Sequence, residues 1–399
     1  MNIVFLCGSL EPGRDGVGDY TRRLACEIIR QGHRAAIIAL NDQHLADRVV
    51  ADEKEDRENR NVKSSRIGYV SNVAGFQTSD GTEVPVLRMS RGIQWSNRMR
   101  MAKLFVDSQN PDFLSLQYVP YSFHPKGIPF GLPTRLASLG VGRKWQVMFH
   151  ELWVGLGISP PWKHRILRGF QMNVVKGLLR LLNPLIIHTQ STPYVQLLEE
   201  LYPNVELLPL FSNIPFLWCG DETEQRGIVR FAFFGSVHGS WDIQRTVSVV
   251  QKIAEFQGKR AELIAIGDAS ARASQTWNVF RELGVEVLEM GRLGVNEVSK
   301  ELSAADYGIS ASVPDLIQKS GSAAAMFEHG LPVLITGSPI WGDRFLDSIR
   351  ESCPLAIFGA DLSSPQNIVK CSVKTNVVGE VATQFIQNFE TSRRRITGK

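Results

Sequence analysis

Short apolar runs recur along the chain with helical patterns between them. NIVFLC, AAIIAL, FLSLQYV, QVMFH, LIIHT and VELLPL come first, and RFAFFGSV, ELIAIG, VEVLEMG, YGISAS, PVLIT and LAIFG follow from residue 230 onward. Runs that are apolar throughout, with helices between them, predict parallel strands covered on both faces. The helix predicted over GDYTRRLACEIIRQG sets Tyr20, Leu24, Ala25, Ile28 and Ile29 on one face and stops at Gly32. The chain therefore opens with a βαβ unit.

The series breaks at PLFSNIPFLWCGDETEQRG, a stretch of prolines, glycines and charges without periodicity, so a linker is expected within residues 211–228. A chain of 399 residues is too long for one ordinary core. The expected organisation is a Rossmann-like domain over 1–215 and a second over 216–378, with a last amphipathic helix over 379–399 that crosses back to the first. Two doubly wound sheets of this kind imply a cleft lined by their carboxyl ends, where ligands of such folds bind. Residues 45–66 are rich in charge and predict solvated helix and loop without chemistry. Residues 70–100 are read as loops in which substrate choice could reside.

Composition narrows the function classes. A net charge of +4 is slight for this length, and no basic run has interleaved aromatics, so nucleic acid is not an expected partner. The five cysteines are scattered without CxxC spacing, which argues against a zinc site or disulfide framework and for a reducing cytosol. MNIVFLCGSL lacks a basic leader and reads as a first strand, and no apolar stretch is long enough to span a membrane.

Two turns carry candidate chemistry. In IQKSGSAAAMFEHGLPVLI, Ser320 or Ser322 is a natural N-cap, Ala323 to Phe327 propagate a helix, and Gly330 ends it. The unpaired N–H groups of that helix start, a small-residue approach and Lys319 are the ingredients of an anion site; a plain capped helix fits the same residues. The first βα turn, CGSLEPGRDGVGDY, has Gly13, Gly16 and Gly18 and is too long for a dinucleotide fingerprint, and no acidic residue closes a second strand at the usual distance. Its glycines let backbone approach a ligand at the helix start, with Asp19 as cap; a plain flexible turn is the alternative.

DGVGDYTRRLACEIIRQGHRAAIIAL resembles the opening of the family-4 retaining glycosyltransferases of the GT-B fold, whose glycine-rich loop leads into a helix ending in a GH pair, here Gly32 and His33. The likeness continues through PDFLSLQYVPYSF, the FHE of Phe149 to Glu151, HTQS, LPLFSNIP, FAFFGS, ELIAIGD, LGVEVLEMGRLGVNEVSKELSAADYGIS and HGLPVLI. Order across nearly the whole chain makes it more specific than any single motif.

The resemblance implies two Rossmann-like domains, a nucleotide-sugar donor held mainly by the second and an acceptor held by the first. Transfer would retain the anomeric configuration without a metal or resident cofactor, the departing diphosphate being stabilised by cations and helix N-termini. The family usually has an Arg and a Lys after the first strand of the second domain, where this chain has Ser236 and Trp241. It also has two glutamates around the last helix, where this chain has Ile317 and Ala325.

Lys319 is accordingly expected to replace the missing cations, with Ser320, Gly321 and Ser322 as further donors and Arg292 or Arg14 as auxiliary cations. His150 falls where the family presents a histidine to the donor sugar, with Glu151 beside it. Gly16, Val17, Gly18, Ser236, His238 and Gly267 complete the expected donor set; Arg14, Asp19, Tyr20, Tyr118 and His124 are the expected acceptor side. The acceptor itself, a glycan, a lipid-linked sugar or a small molecule, stays open.

The segment PPWKHRILRGFQMNVVKGLLRLLNP, 160–184, predicts a basic amphipathic helix. It fits a peripheral contact at the inner face of a membrane, and it also fits the more common case, a helix that buries its leucines and leaves its charges in water. Two other functions share the fold: a non-catalytic sugar- or nucleotide-binding partner subunit, and a sugar-nucleotide 2-epimerase. The latter needs carboxylates in the cleft, which the matched motifs lack.

Overall fold

A computed structural model of the chain describes residues 1–45, 72–158, 160–217, 227–237, 239, 241–267, 269–358, 372–373 and 376–397. Two compact units emerge. One comprises Met1–Gln190, Tyr194–Leu208 and Val378–Lys399, and the other Ser191–Pro193 with Pro209–Val377.

In the first unit β1 (Asn2–Cys7), β2 (Arg34–Asp42), β3 (Asn72–Ser79), β4 (Thr82–Ser90), β5 (Phe113–Tyr118), β6 (Lys144–Phe149), β7 (Ile186–Thr189) and β8 (Val205–Leu207) form one sheet. Its order is β3-β4-β2-β1-β5-β6-β7-β8, and every pair is parallel except β3 with β4. The fully buried runs of β1 and β5 explain why these strands lack alternation.

The β3–β4 hairpin lies where the sequence reading placed loops. Its turn is Asp80–Gly81, with φ of 47° and 78°. That Asp-Gly pair is the hairpin signal, since both central residues need positive φ. It was hidden because β3, with Gly75 and an exposed Phe76, is too polar to resemble the other strands.

The second unit holds β9 (Ile228–Gly235), β10 (Arg260–Gly267), β11 (Glu286–Gly291), β12 (Tyr307–Ser310), β13 (Val333–Ile335) and β14 (Ala356–Phe358). They form a parallel sheet of order β11-β10-β9-β12-β13-β14. The order steps outward from β9 in both directions, which creates a topological switch point at its carboxyl end. Apolar clusters cover both faces. Phe233, Trp241, Trp277 and Phe280 anchor one, and Ile317, Ala325, Met326 and Phe345 the other.

The C-terminal helix, Val377–Thr397, belongs to the first unit from Val378 onward. Phe385 stacks on Phe5 at 5.9 Å, and Phe389 packs against Phe113 at 4.3 Å. Among the described residues no helix is long and apolar enough to cross a membrane.

Candidate functional site

In the second unit the carboxyl ends of β9 and β10 and the start of helix Gly321–Glu328 come together. Ser320 is the N-cap; its hydroxyl accepts from Ala323 N at 3.3 Å and lies 3.2 Å from Ser322 Oγ. A Cβ added to Gly235, at φ 121°, would stand 3.4 Å from Ser322 Oγ, and one added to Gly267, at φ 111°, 3.0 Å from Gly235 O. Glycine is therefore demanded at both strand ends by backbone conformation, and at Gly267 by close backbone approach as well. Gly321 is exposed, and Ser322 and Lys319 are half-buried. Lys319 ends the short 3-10 turn Pro314–Lys319 that feeds the helix. This brings Gly267, Lys319, Ser320, Gly321 and Ser322 of the expected donor set to one edge of the sheet, with exposed Ser236 next along the chain.

The positions that depart from the family pattern are filled by core. Trp241 is buried, stacked on Phe233 at 5.2 Å and edge-on to Trp277 at 6.3 Å. Ile317 and Ala325 are likewise buried in the apolar cluster on the opposite face. Glu328 does not stand in for the absent carboxylates, because its Oε1 accepts from Ser212 N at 2.5 Å. Asp315 is fully buried; one oxygen accepts from Ile340 N at 2.6 Å, the other has no hydrogen-bond partner among the described residues, and burial raises its pKa.

One cation was missed by sequence reasoning. The guanidinium of Arg272 lies against Gly239, in the loop after β9, so closely that a Cβ at Gly239 would collide with it. Arg272 is exposed. Its only signal was a position one residue into the helix Ala271–Glu282, which follows the end of β10. Arg292 is exposed just past β11. His238 lies outside the described residues.

In the first unit the glycine-rich turn is held from within. Asp15, not Asp19, caps the helix Gly16–Arg30, accepting from Gly18 N at 2.7 Å. Asp19 sits one turn on, where its carboxylate accepts from Gly13 N at 3.1 Å and pairs with Arg22. It misled as a cap because the helix begins at Gly16, two residues ahead of the GDY motif.

Gly18 is tight against the chain itself, its added Cβ 2.7 Å from Ser9 O, whereas Gly16 opens onto free space within 4 Å. Val17 is half-buried and Arg14 exposed. A second correction concerns β2, which does end on an acidic residue. Asp42 is fully buried and accepts from Ser9 Oγ at 3.0 Å, Leu10 N at 3.2 Å and Arg88 Nε at 2.7 Å. Arg88 also pairs with Glu11 at 2.6 Å. With its oxygens spent on the loop, Asp42 anchors the turn and leaves no acceptor for a ribose.

His150 follows β6 directly. It is buried, with Nε2 2.9 Å from Gln117 Oε1, its backbone N–H on Tyr118 O at 3.1 Å and Tyr20 edge-on at 5.0 Å. Glu151 is half-buried beside it. Tyr20 and Tyr118 are buried, and burial pushes both phenols well above their ordinary pKa. Tyr118 packs between Phe123 and Phe149. His124 stands apart, its Nδ1 accepting from Lys126 N at 3.2 Å and so holding its own loop. The first unit thus brings His150, Tyr20 and Tyr118 together around the end of β6, with His124 in the turn that it holds at Lys126. Among the described residues no three His, Cys, Asp or Glu side chains converge as metal ligands would.

No protein-family model matches the chain, and no curated protein matches it by sequence. Solved structures match in fold over nearly its whole length. HepE of Anabaena, solved with UDP and glucose, is 12% identical at a TM-score of 0.52, over 98% of this chain and 100% of that one. The catalytic domain of starch synthase IV from Arabidopsis thaliana, bound to ADP and acarbose, is also 12% identical at 0.52, over 98% and 99%. A putative UDP-N-acetylglucosamine 2-epimerase from Listeria monocytogenes is 10% identical at 0.52, over 99% and 97%. The chain therefore has the two-domain Rossmann-like α/β fold of the GT-B type expected from its sequence. At this identity the likeness is one of fold.

Proposed function

We propose that the chain is a glycosyltransferase that moves a sugar from a nucleoside-diphosphate sugar to an acceptor, with retention at the anomeric carbon and without a metal ion. The observation that carries this reading is the meeting of Gly235, Gly267 and the Ser320-capped helix start at one sheet edge, with Lys319 leading into it. Departure of a nucleoside diphosphate develops negative charge on its oxygens, and fixed donors aimed there lower the barrier. Backbone N–H groups of Gly321 and Ser322 and the Lys319 ammonium supply such donors. Arg272, and more distantly Arg292, add the positive charge that Ser236 and Trp241 do not. In the first unit His150 is assigned to orient sugar hydroxyls, with Glu151 next in the chain and Tyr20 edge-on to it.

Thermal stabilisation against UDP, GDP, ADP, CDP and TDP tests this. At 100 times its dissociation constant a nucleotide adds about 2.7 kcal/mol. One base is expected to stabilise the protein and to lose most of its effect in Lys319→Ala. If none does, the reading fails.

A second reading, a nucleotide-binding partner without turnover, is favoured by the core residues at Ile317 and Ala325. It predicts the same stabilisation but no consumption of the nucleotide sugar with any acceptor. A 2-epimerase would instead exchange solvent deuterium into the sugar.

The proposal extends to a lipid interface as the place of the acceptor. In helix Trp162–Leu182, Val174, Val175, Leu178, Leu179 and Leu182 are buried, while Trp162, Ile166 and Phe170, one turn apart, are 67%, 55% and 46% exposed. Phe130 stands edge-on to Phe170. Between Asp112 and Glu199 the sequence has nine Lys and Arg against one acidic residue, Glu151. An apolar stripe with such a charge excess suits an anionic bilayer surface. Co-sedimentation with phosphatidylglycerol vesicles and not with phosphatidylcholine, lost in Trp162→Ser/Ile166→Ser, is the expected result; equal pelleting of both proteins would refute it.

A further inference from the structure

A chain of buried polar side chains runs beneath the first sheet's carboxyl end. From His150 Nε2 it passes to Gln117 Oε1 at 2.9 Å, from Gln117 Nε2 to Ser115 Oγ at 2.8 Å, and from Ser115 Oγ to Gln146 Oε1 at 2.5 Å. It continues from Gln146 Nε2 to His188 Nδ1 at 3.1 Å and from His188 Nε2 to Asn388 Nδ2 at 3.1 Å, so that an amide nitrogen faces each ring nitrogen of His188. Ser115, Gln146 and His188 are fully buried and Gln117 nearly so, while Asn388, on the C-terminal helix, is half-buried. Buried polar groups of this kind are hydrogen-bonded or costly, so the links cannot be rearranged one at a time.

The chain has a direction. Each amide donates with its nitrogen and accepts with its oxygen, so the orientation of one fixes the next. Burial lowers the His188 pKa to about 3, so its ring is neutral and carries a single N–H. With Gln146 donating to Nδ1, that hydrogen sits on Nε2 and needs an acceptor, which Asn388 supplies by turning its amide oxygen inward. The opposite direction would require both buried glutamines to turn. The first arrangement costs one rotation at a half-buried side chain, and it leaves His150 donating from Nε2.

We propose that Asn388 and His188 are positioning residues for His150, setting which ring nitrogen carries its proton from five and four hydrogen bonds away. The role rests on the reading of His150 as the residue that meets the sugar. Through it the C-terminal helix becomes part of the site: with Nε2 committed to Gln117, His150 can present only Nδ1 as an acceptor to a hydroxyl.

The test is nitrogen-15 NMR of the histidine side chains, together with turnover. In the unmodified protein His150 is expected as a single tautomer protonated at Nε2. Ser115→Ala and Asn388→Leu are expected to mix the two tautomers, and Ser115→Thr, which keeps the hydroxyl, to restore one. With a donor in hand, Ser115→Ala should lower kcat on the order of tenfold, the scale on which outer-shell partners of functional histidines act, at unchanged donor KM. Protonation at Nδ1 in the unmodified protein overturns the proposal even if no variant folds, and so do identical tautomers in all proteins. If the tautomer responds but His150→Ala still turns over, the relay stands and the role of His150 in the reaction falls.

Discussion

At the carboxyl end of the first sheet His150 is held by Gln117, with buried Ser115 and Gln146 continuing the hydrogen bonds down into the strands, whereas at the carboxyl end of the second the ground is held by Gly235, Gly267 and the start of a helix. One edge fixes side chains, and the other brings backbone to its surface. The difference suits the two tasks of the proposed transfer. Selecting and orienting hydroxyls calls for side chains held in one rotamer and one protonation state. Receiving a diphosphate calls for close N–H groups and a few cations, which small residues and a helix start provide.

The sharpest way to break this comparison is His150→Ala. If the first edge performs the sugar chemistry, kcat should fall by roughly 10² to 10⁴, the range for a positioned proton-transfer or hydrogen-bonding group, with nucleotide affinity unchanged. Loss of nucleotide binding instead would mean that the two edges do not divide the work.

Acid titration of stability probes the same buried polar layer. The His188 pKa is lowered from the ordinary 6.5 to about 3. Between those values the unfolded chain binds the proton and the folded one does not, so the stabilisation is complete above pH 6.5 and is lost as pH falls. Urea unfolding should weaken by up to about 1.4 kcal/mol per pH unit below 6.5 on this account, and His188→Gln should flatten the slope.

On the second edge Lys319→Ala is expected to weaken nucleotide binding by about 1.5 to 3 kcal/mol, read by calorimetry, with folding unaffected. Gly235→Ala forces a side chain to φ 121° and is expected to cost about 1 to 3 kcal/mol of stability, seen in denaturant midpoints. The smallest effect is expected for Glu328→Gln. It keeps an oxygen for Ser212 N but loses the charge, and should cost about 1 kcal/mol of stability while leaving nucleotide binding intact, because this carboxylate braces the chain after β8.

The repeating framework was legible because buried parallel strands announce themselves as unbroken apolar runs, and all twelve such runs became strands. The β3–β4 hairpin was not, because an edge hairpin half in water carries a polar pattern, and only Asp80–Gly81 betrayed it. In the second unit the capped helix and Lys319 could be read from local spacing. Arg272 could not, since its approach to Gly239 joins a helix start to a loop some thirty residues earlier. The polar chain behind His150 was invisible for the same reason: Ser115, Gln146 and His188 look like tolerated exceptions within apolar strands until the register sets Ser115 opposite Gln146 and His188 diagonally across from it, two residues beyond Ile186.

The C-terminal helix also sets a timetable for synthesis. Phe389 covers Phe113, 276 residues earlier in the chain. At about 5 to 20 residues per second, roughly 14 to 55 s pass before the ribosome delivers the lid for that surface. During that interval Phe5 and Phe113 face water or a chaperone, and the second unit has time to fold around its own sheet first. A stop codon ahead of Phe385 would leave the second unit whole and the first with an open apolar floor, so early termination should yield insoluble protein from which a folded second unit can still be recovered by proteolysis.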